Sequence, residues 1–330
     1  MKLPRRRQFL RLATGAVALL VVSCMASAQT YPTRPVTIVV PFAAGGGADL
    51  VARILAERIR GSLGQPVIVE NVIGAAGSIA VGRVARAAPD GYVLSIGNWA
   101  THVANGALYP LQYDLMKDFE PISLIALTRW LIVARKTIPA DDLKGFVTWL
   151  KQNPDKASAG TAGSGSAEHI TALLFRNATG TRFQFVPYRG AAPAMQDMIA
   201  GQIDMMFTGP SVSTPHLRAG SVKSYAVMAK DRLLAAPDVP TVDEAGLPGL
   251  YFSYWQAVWA PKGTPRTVVD RLNAAIGEAV ADPAVTRRLA DLGYEVFPRE
   301  QQTPEALGAL QKAEIEKWWP IIKAAGIKTE

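Results

Sequence analysis

Two glycine-rich segments of this sequence have the composition of anion-binding loops. The first runs from Pro41 to Asp49 and contains three consecutive glycines between a predicted strand and a predicted helix. Because glycine has no side chain, a ligand can approach the backbone there, and the helix that follows begins with unpaired N–H groups and a partial positive charge. We therefore predict a site for a carboxylate or a phosphate, with a tight strand-to-helix turn as the alternative.

The second glycine-rich segment, Gly160–Ser166, adds hydroxyl groups to the same pattern. Its hydroxyls and backbone N–H groups precede another predicted helix and are suited to an anion. A serine hydrolase would instead need a Gly-x-Ser-x-Gly turn and a histidine that reaches the serine. That turn is absent, and His169 lies only five residues after Ser164 in the same predicted helix. Hydrolase chemistry is therefore disfavoured.

A third candidate is the segment Tyr188-Arg189-Gly190, between a predicted strand and a predicted helix. Arginine can hold a carboxylate with two parallel hydrogen bonds, so Arg189 is a candidate ligand clamp. The alternative is an ordinary solvated arginine. Asp204, which follows Gly201-Gln-Ile, is suited equally to bracing a turn and to contacting a ligand.

Other chemistries lack the residues they need. Gly45-x-Gly47 and Glu70 resemble part of a dinucleotide-binding fingerprint, but Leu50 stands where the third glycine belongs. The chain has one cysteine and three histidines, and neither His102 nor His216 has partners at metal-ligand spacing. No pair of carboxylates has an acid–base arrangement. The sequence thus predicts a binding protein that is not an enzyme and has no cofactor or metal.

The elements that must position these loops alternate regularly in the first part of the chain. Strands are predicted at 36–40, 66–69 and 92–96. Helices are predicted at 49–60 and from a further glycine-containing loop at 74–77 to residue 88. This β-α-β-α-β order predicts a parallel sheet with helices on both faces.

A similar alternation resumes after Pro139 and predicts a second lobe, with a cleft between the two. Strands are predicted at 157–159, 183–186, 205–207 and 222–228, and helices at 142–152, 167–176, 194–201 and 215–219. A further strand is predicted at 255–260. The pairs Thr264-Pro265 and Thr303-Pro304 predict the N-caps of two long helices that fold back on the first lobe, the second helix ending near Trp318–Pro320.

Charge and hydropathy place the protein outside the cytoplasm. Five of its eight net positive charges lie in residues 1–28, which leaves +3 for the remainder and disfavours a nucleic-acid partner. Residues 1–28 have the pattern of a signal peptide: basic residues, a short apolar run, and Ala26-Ser27-Ala28 as a cleavage site. Twin-arginine and Sec export both remain open, as does lipidation at Cys24. The expected location is the periplasm.

Short motifs spread over the whole mature chain are similar to those of one family. The motifs are Tyr31-Pro-x-Arg-Pro35, Pro41-Phe-x-x-Gly-Gly-x-x-Asp49, Asn71-x-x-Gly-Ala-x-Gly77, Pro89-Asp-Gly-Tyr92, Lys117-Asp-Phe-x-Pro121, Gly163-Ser-Gly-Ser-x-x-His169, Val186-Pro-Tyr-Arg-Gly190 with Pro193-Ala194, and Pro240-Thr-Val-x-Glu-Ala-Gly-x-Pro-Gly249. Together and in this order, they resemble the extracytoplasmic solute receptors of the tripartite tricarboxylate transporter family (the Bug or TctC type).

The resemblance implies a two-lobed α/β fold of the periplasmic-binding-protein type II (Venus-flytrap) class, with a central sheet flanked by helices in each lobe. Lobe 1 would comprise residues 29–135 and 229–330, and lobe 2 residues 136–228. The residues implied or predicted to contact the ligand are Phe42, Gly45, Gly46, Asp49, Asn98 and Thr101 in lobe 1, and Ser164, Ser166, His169, Tyr188, Arg189, Gly190 and Asp204 in lobe 2. The sequence departs from the family pattern at Trp99, Gly106 and Arg189, which leaves the ligand's identity open.

The resemblance also implies partners: a small carboxylate as ligand, and the integral-membrane permease subunits of a transporter. The ligand could be a dicarboxylate or tricarboxylate, an acidic amino acid or an aromatic acid. Two alternatives stay open for function, namely an exported α/β enzyme and a solute receptor that signals to a sensor kinase.

Overall fold

A computed structural model describes residues 31–327 of the chain. The predicted signal peptide, residues 1–28, and Cys24 lie outside the described residues. Of the helices in the described part, none is both long and apolar enough to cross a membrane. The same part contains no group of three or more histidine, cysteine, aspartate or glutamate side chains that could hold a metal ion.

The first sheet defines lobe 1 and is of mixed direction. Its strands, within the described residues, are β1 (Val36–Val40), β2 (Val67–Asn71), β3 (Val93–Asn98), β4 (Phe119–Arg129), β10 (Ser253–Pro261) and β11 (Glu295–Val296), in the order β11-β4-β10-β3-β1-β2. Strands β2, β1 and β3 are parallel as predicted. The parallel arrangement predicted for this β-α-β-α-β unit is confirmed. The sheet becomes mixed beyond β3, because β10 enters between β3 and β4 and runs antiparallel to both.

The second sheet defines lobe 2. Its strands are β5 (Leu131–Arg135), β6 (Ser158–Thr161), β7 (Gln184–Pro187), β8 (Met205–Thr208) and β9 (Val222–Val227), in the order β7-β6-β8-β5-β9. Residues 131–135 were expected in lobe 1. That assignment is wrong, because β5 lies between β8 and β9 in the second sheet and pairs with both.

Helices pack on both sheets. They are α1 (Gly47–Leu63), α2 (Ser78–Ala85), α3 (Asn105–Leu108), α4 (Leu143–Gln152), α5 (Ala167–Thr179), α6 (Ala191–Ile199), α7 (Pro210–Arg218), α8 (Arg266–Ala281), α9 (Pro283–Asp291) and α10 (Pro304–Ala324). The two-lobed α/β fold class is thereby confirmed. The C-terminal helices do return to lobe 1: Leu272 and Ile276 of α8 share one buried cluster with Ile38 and Leu55.

Two predicted helix boundaries in the C-terminal part are wrong. Helix α8 takes Pro265 as its N-cap, and the Thr264 hydroxyl donates to the carbonyl of Pro261 instead of capping the helix. Helix α10 is capped by Thr303 as predicted, but it continues past Pro320 to Ala324. Buried residues on both sides of this proline, Trp318 and Ile322, pack the last turns against the lobe, so packing outweighs the lost backbone hydrogen bond.

The chain crosses between the sheets at two adjoining places. The first crossing is at Trp130, between β4 and β5, and the second lies between β9 and β10. Met228 N–H donates to the carbonyl of Trp130 over 2.8 Å, and Phe252 N–H donates to that of Met228 over 2.9 Å. The rings of Trp130 and Phe252 pack edge to face, 4.8 Å apart. The lobes are thus joined at one compact, hydrogen-bonded hinge.

His102 is buried behind the cleft edge of lobe 1. Its ring stacks on Trp259, with centroids 3.7 Å apart and an angle of 9°, and its Nδ1 lies 3.0 Å from the Thr101 hydroxyl. Nε2 has no hydrogen-bond partner in the described structure. Burial lowers the pKa of His102 to about 3, because the site cannot solvate a charged ring.

This burial predicts an acid-sensitive fold. The unfolded chain takes up a proton at His102 near pH 6.5, and the folded chain does not until about pH 3. Stability therefore rises with pH across this window and falls on acidification, by about 1.2 kcal/mol for this group between pH 6 and pH 5. Denaturant unfolding of the wild type and His102→Gln at both pH values measures the difference. An equal pH dependence in the two proteins would contradict the prediction.

Candidate functional site

A cleft of about 690 Å³ separates the two lobes. That volume lies in the range usual for small-molecule sites. The residues that line it on lobe 1 include Phe42, Gly46, Gly47, Ala48, Ala76, Asn98, Ala100, Asn105, Tyr109, Thr128, Trp130, Tyr254, Gln256 and Tyr294. Those on lobe 2 include Ala162, Ser164, Gly165, Ser166, Ala167, Glu168, Ala191, Thr208, Gly209, Ser211 and Val212. A ligand in the cleft would therefore contact both lobes.

Helix N-termini dominate the surface of the cleft. Helices α1, α5, α6 and α7 each begin with residues that line it. Only the N-cap of α5, Ser166, has a side-chain capping bond, whereas Gly46, Gly190 and Gly209 cap the other three helices without one. The first N–H groups of α1 and α6 therefore remain available to a ligand. In α7 the first residue, Pro210, has no N–H, so the first donor there is Ser211 N–H. The helix dipoles favour a negative charge beside these groups.

No lysine, arginine or histidine within residues 31–327 lines this cleft. An anion would therefore be held by backbone N–H groups and by neutral side chains such as Asn98, Ser164 and Thr208, and not by a side-chain cation. Helix N-termini alone can bind carboxylates and phosphates in this way.

Asp49 supports the first glycine loop from behind. Its carboxylate, 1 % exposed, accepts hydrogen bonds from Gly45 N–H at 2.8 Å, from Arg53 Nε at 2.9 Å and from Asn71 Nδ2 at 2.9 Å. Burial alone would raise the pKa of Asp49, but these three donors outweigh it and lower the pKa to about 2. Asn71 also donates to the carbonyl of Phe42 at 3.0 Å, so the same network holds the segment that lines the cleft.

His169 supports the second glycine loop. Its ring Nδ1 accepts a hydrogen bond from Gly165 N–H at 3.0 Å, and the backbone N–H of His169 donates to the Ser166 hydroxyl at 3.2 Å. An acceptor Nδ1 requires the neutral ring with its proton on Nε2. Burial, together with the charge of Arg176, lowers the pKa of His169 and favours this form.

Asn98 and Thr101 form a reciprocal turn at the end of β3. Thr101 N–H donates to Asn98 Oδ1 at 3.1 Å, and Asn98 N–H donates to the Thr101 hydroxyl at 3.1 Å. Asn98 lines the cleft, whereas Thr101 is fully buried behind it. Thr101 is thus placed to orient Asn98.

The remaining predicted residues of lobe 2 lie beside the cleft or behind its wall. Tyr188 donates its hydroxyl to Asp197 at 2.8 Å, and Gly190 supplies the N-cap of α6. Arg189 is exposed and is absent from the cleft lining. Asp204 accepts hydrogen bonds from Arg135 Nε and from Ser158 N–H, each at 2.8 Å. These bonds brace neighbouring backbone, which is one of the two roles predicted for Asp204 from the sequence.

The structure thus places five of the thirteen predicted residues on the cleft surface: Phe42, Gly46, Asn98, Ser164 and Ser166. The other eight, Gly45, Asp49, Thr101, His169, Tyr188, Arg189, Gly190 and Asp204, are not among its lining residues. Their roles as ligand contacts stay predictions.

Several residues that line the cleft escaped the sequence-based prediction, including Glu168, Thr208, Gly209, Ser211, Tyr254, Gln256 and Tyr294. Gly209-Pro210 had a readable signal, since it follows the predicted strand at 205–207 as the other glycine loops follow theirs. Tyr254 and Gln256 lie on a strand, and only the pairing of β10 beside β3 brings them to the cleft.

Two α/β lobes joined at a hinge, with a cleft lined by helix N-termini between them, define the class of periplasmic-type solute-binding proteins. Residues 51–327 match the model of the tripartite tricarboxylate transporter family receptor. The chain belongs to this family of receptors, and the resemblance seen in its sequence motifs is confirmed.

Solved structures of relatives agree with this assignment. MatC (Rpa3494) from Rhodopseudomonas palustris, with bound malate, is 41% identical, with a TM-score of 0.77 over 88% of this chain and 100% of that one. The periplasmic binding protein BugD is 40% identical, with a TM-score of 0.77 over 91% and 100%. Rpa4515 from R. palustris, with adipate, is 33% identical, with a TM-score of 0.78 over 90% and 99%.

Proposed function

We propose that this receptor captures a small carboxylate in the cleft and delivers it to the permease subunits of its transporter in the membrane. The observation that carries the proposal is the convergence of four helix N-termini, three of them without a side-chain cap, on one cleft. The relatives MatC and Rpa4515, with malate and adipate bound, support the same ligand class.

Capture would proceed by closure of the lobes about the hinge at Trp130 and Met228. Each lobe supplies part of the lining, so a ligand gains its full set of contacts only when both surfaces reach it. A ligand that binds the closed form better shifts the population toward it, and a closed receptor presents a different surface to the permease. Residues 1–28, as an export signal, would place the receptor in the periplasm.

The test is a thermal-shift and calorimetric screen with malate, adipate, citrate, benzoate, aspartate and glutamate. A ligand present at 100 times its Kd is expected to stabilise the fold by about 2.7 kcal/mol, a readable shift in Tm. Ser211, exposed in the first turn of α7, offers a matched pair of variants. Ser211→Asp adds a negative charge at this N-terminus, and Ser211→Asn adds the same volume without charge.

We expect Ser211→Asp to weaken carboxylate binding at least about tenfold relative to Ser211→Asn. The aspartate carboxylate would take the place of the ligand at the positive end of the helix dipole and would also repel the ligand. Both variants should retain the Tm of the ligand-free wild type within a degree or two, since Asp is well tolerated in a first helical turn. Arg189→Ala tests the clamp hypothesis separately: a clamp loses affinity on truncation. Absence of binding across the panel, or equal affinities in the two Ser211 variants, would contradict the proposal.

A further inference from the structure

Glu168 is the one acidic side chain among the residues that line the cleft in the described structure. It lies in the first turn of α5, two residues after the N-cap Ser166. Burial raises the pKa of Glu168, because removal from water disfavours the charged carboxylate. The receptor thus presents a carboxyl group to a cleft proposed to bind carboxylates.

The facing lobe provides a second hydrogen-bond acceptor. Gln256 of β10 lines the cleft at 1 % exposure, and its Nε2 donates to the Tyr294 hydroxyl at 3.1 Å. Its Oε1 has no hydrogen-bond partner in the described structure. A buried acceptor without a partner costs stability, so this oxygen indicates a donor supplied by the ligand.

Glu168 of lobe 2 and Gln256 of β10 line the same cleft from the two lobes. Burial raises the pKa of Tyr254, two residues before Gln256, and the nearby charges of Tyr294 and Glu168 raise it further. Since no lysine, arginine or histidine of the described residues lines the cleft, the protein itself supplies no counter-charge there.

We infer that Glu168 and Gln256 select a ligand that has a protonated amine in addition to its carboxylate, an inference that rests on the proposed function. The ligand carboxylate would lie at the uncapped N-termini of α1, α6 and α7, and its ammonium group would donate to Glu168 and to Gln256 Oε1. An ammonium group balances the Glu168 charge, whereas a second carboxylate or a hydroxyl group leaves it unbalanced.

Matched pairs of acids test this selection, because each pair differs only in an amine or a hydroxyl group at one carbon. We would measure calorimetric affinities for aspartate against malate, and for glutamate against 2-hydroxyglutarate. In at least one pair, the wild type is expected to bind the amino acid at least tenfold more tightly. Glu168→Gln removes the charge and keeps the shape, so it should reduce that preference to about twofold or less while hydroxy-acid binding persists.

Each outcome separates this inference from the proposed function. Hydroxy acids that bind as tightly as their amino counterparts would overturn the selection by Glu168 and leave the carboxylate receptor intact. A preference that persists in Glu168→Gln would also overturn it. Failure of every acid, amino and hydroxy alike, would count against the proposed function itself. The wild-type pairs alone decide the question if the variant does not fold.

Discussion

Gly97→Ala is expected to destabilise the protein by about 3 kcal/mol, near the upper end for overpacking in a core. A Cβ at this position of β3 would overlap the Nδ1 and Cε1 atoms of the His102 ring and would also lie 3.1 Å from the Thr101 hydroxyl. The ring has no room to move, because it stacks on Trp259 and meets the edge of Phe119. Relief would require a shift of buried aromatic residues or of the strand itself.

The same substitution elsewhere in the lobe provides the control. Gly61, exposed in the last turns of α1, has nothing within 4 Å of an added Cβ and an ordinary helical backbone. Gly61→Ala should therefore stabilise the protein, by about 0.5–1 kcal/mol, since alanine loses less conformational freedom in a helix. Denaturant unfolding of both variants measures the difference. A Gly97→Ala protein as stable as the wild type would show that the His102 packing is looser than described.

Asp49→Ala is expected to cost about 3 kcal/mol of folding free energy and to abolish most ligand binding. The substitution leaves Gly45 N–H, Arg53 and Asn71 without their shared acceptor, and loss of one partner from a buried charged network is costly. The loop from Phe42 to Gly46 would then lose its support, and the N-terminus of α1 would no longer be positioned for a ligand. A drop in both Tm and carboxylate affinity is the expected measurement.

Glu57→Ala is the matched control for Asp49→Ala, because it also removes an acid of α1 that pairs with an arginine. Glu57 and Arg288 are both largely exposed, so their ion pair contributes little and ligand affinity should not change. The Asp49 contribution to stability should also disappear in acid: its pKa is about 2 in the folded protein, so stability is lost as pH falls from about 4 toward 2. Normal affinity in Asp49→Ala would mean that the loop holds its shape unaided.

Local patterns in the sequence were sufficient to predict most elements of both lobes. The β-branched run at Val36–Val40 and the apolar spacing of α1 each depend on neighbours a few residues away, so periodicity finds them. Strands β4 and β5 escaped prediction, although their pairing partners β10 and β9 were both predicted. The crossing at Trp130 lies between two strands with no turn residue to mark it.

The candidate site was predictable in its loops but not in the roles of its side chains. Asp49 was identified by its motif, yet it faces Arg53 and Asn71 and not the cleft, which depends on the register of β1 with β2. Glu168 has the sequence context of an ordinary acid in a first helical turn. Its position opposite Tyr254 arises only when the two lobes come together, and no local pattern contains that information.

The cleft relies on main-chain N–H groups for its positive potential, and this has a consequence for how such receptors diverge. Unless it introduces a proline, a point mutation replaces a side chain and leaves the backbone N–H groups in place, at the starts of α1 and α6 and at Ser211, which follows Pro210 in α7. The backbone N–H groups that can bind an acid are therefore retained wherever the fold is retained. Duplicated copies can change side chains that line the cleft, Glu168 and Gln256 among them, and so bind new ligands while the acid-binding N–H groups stay in place.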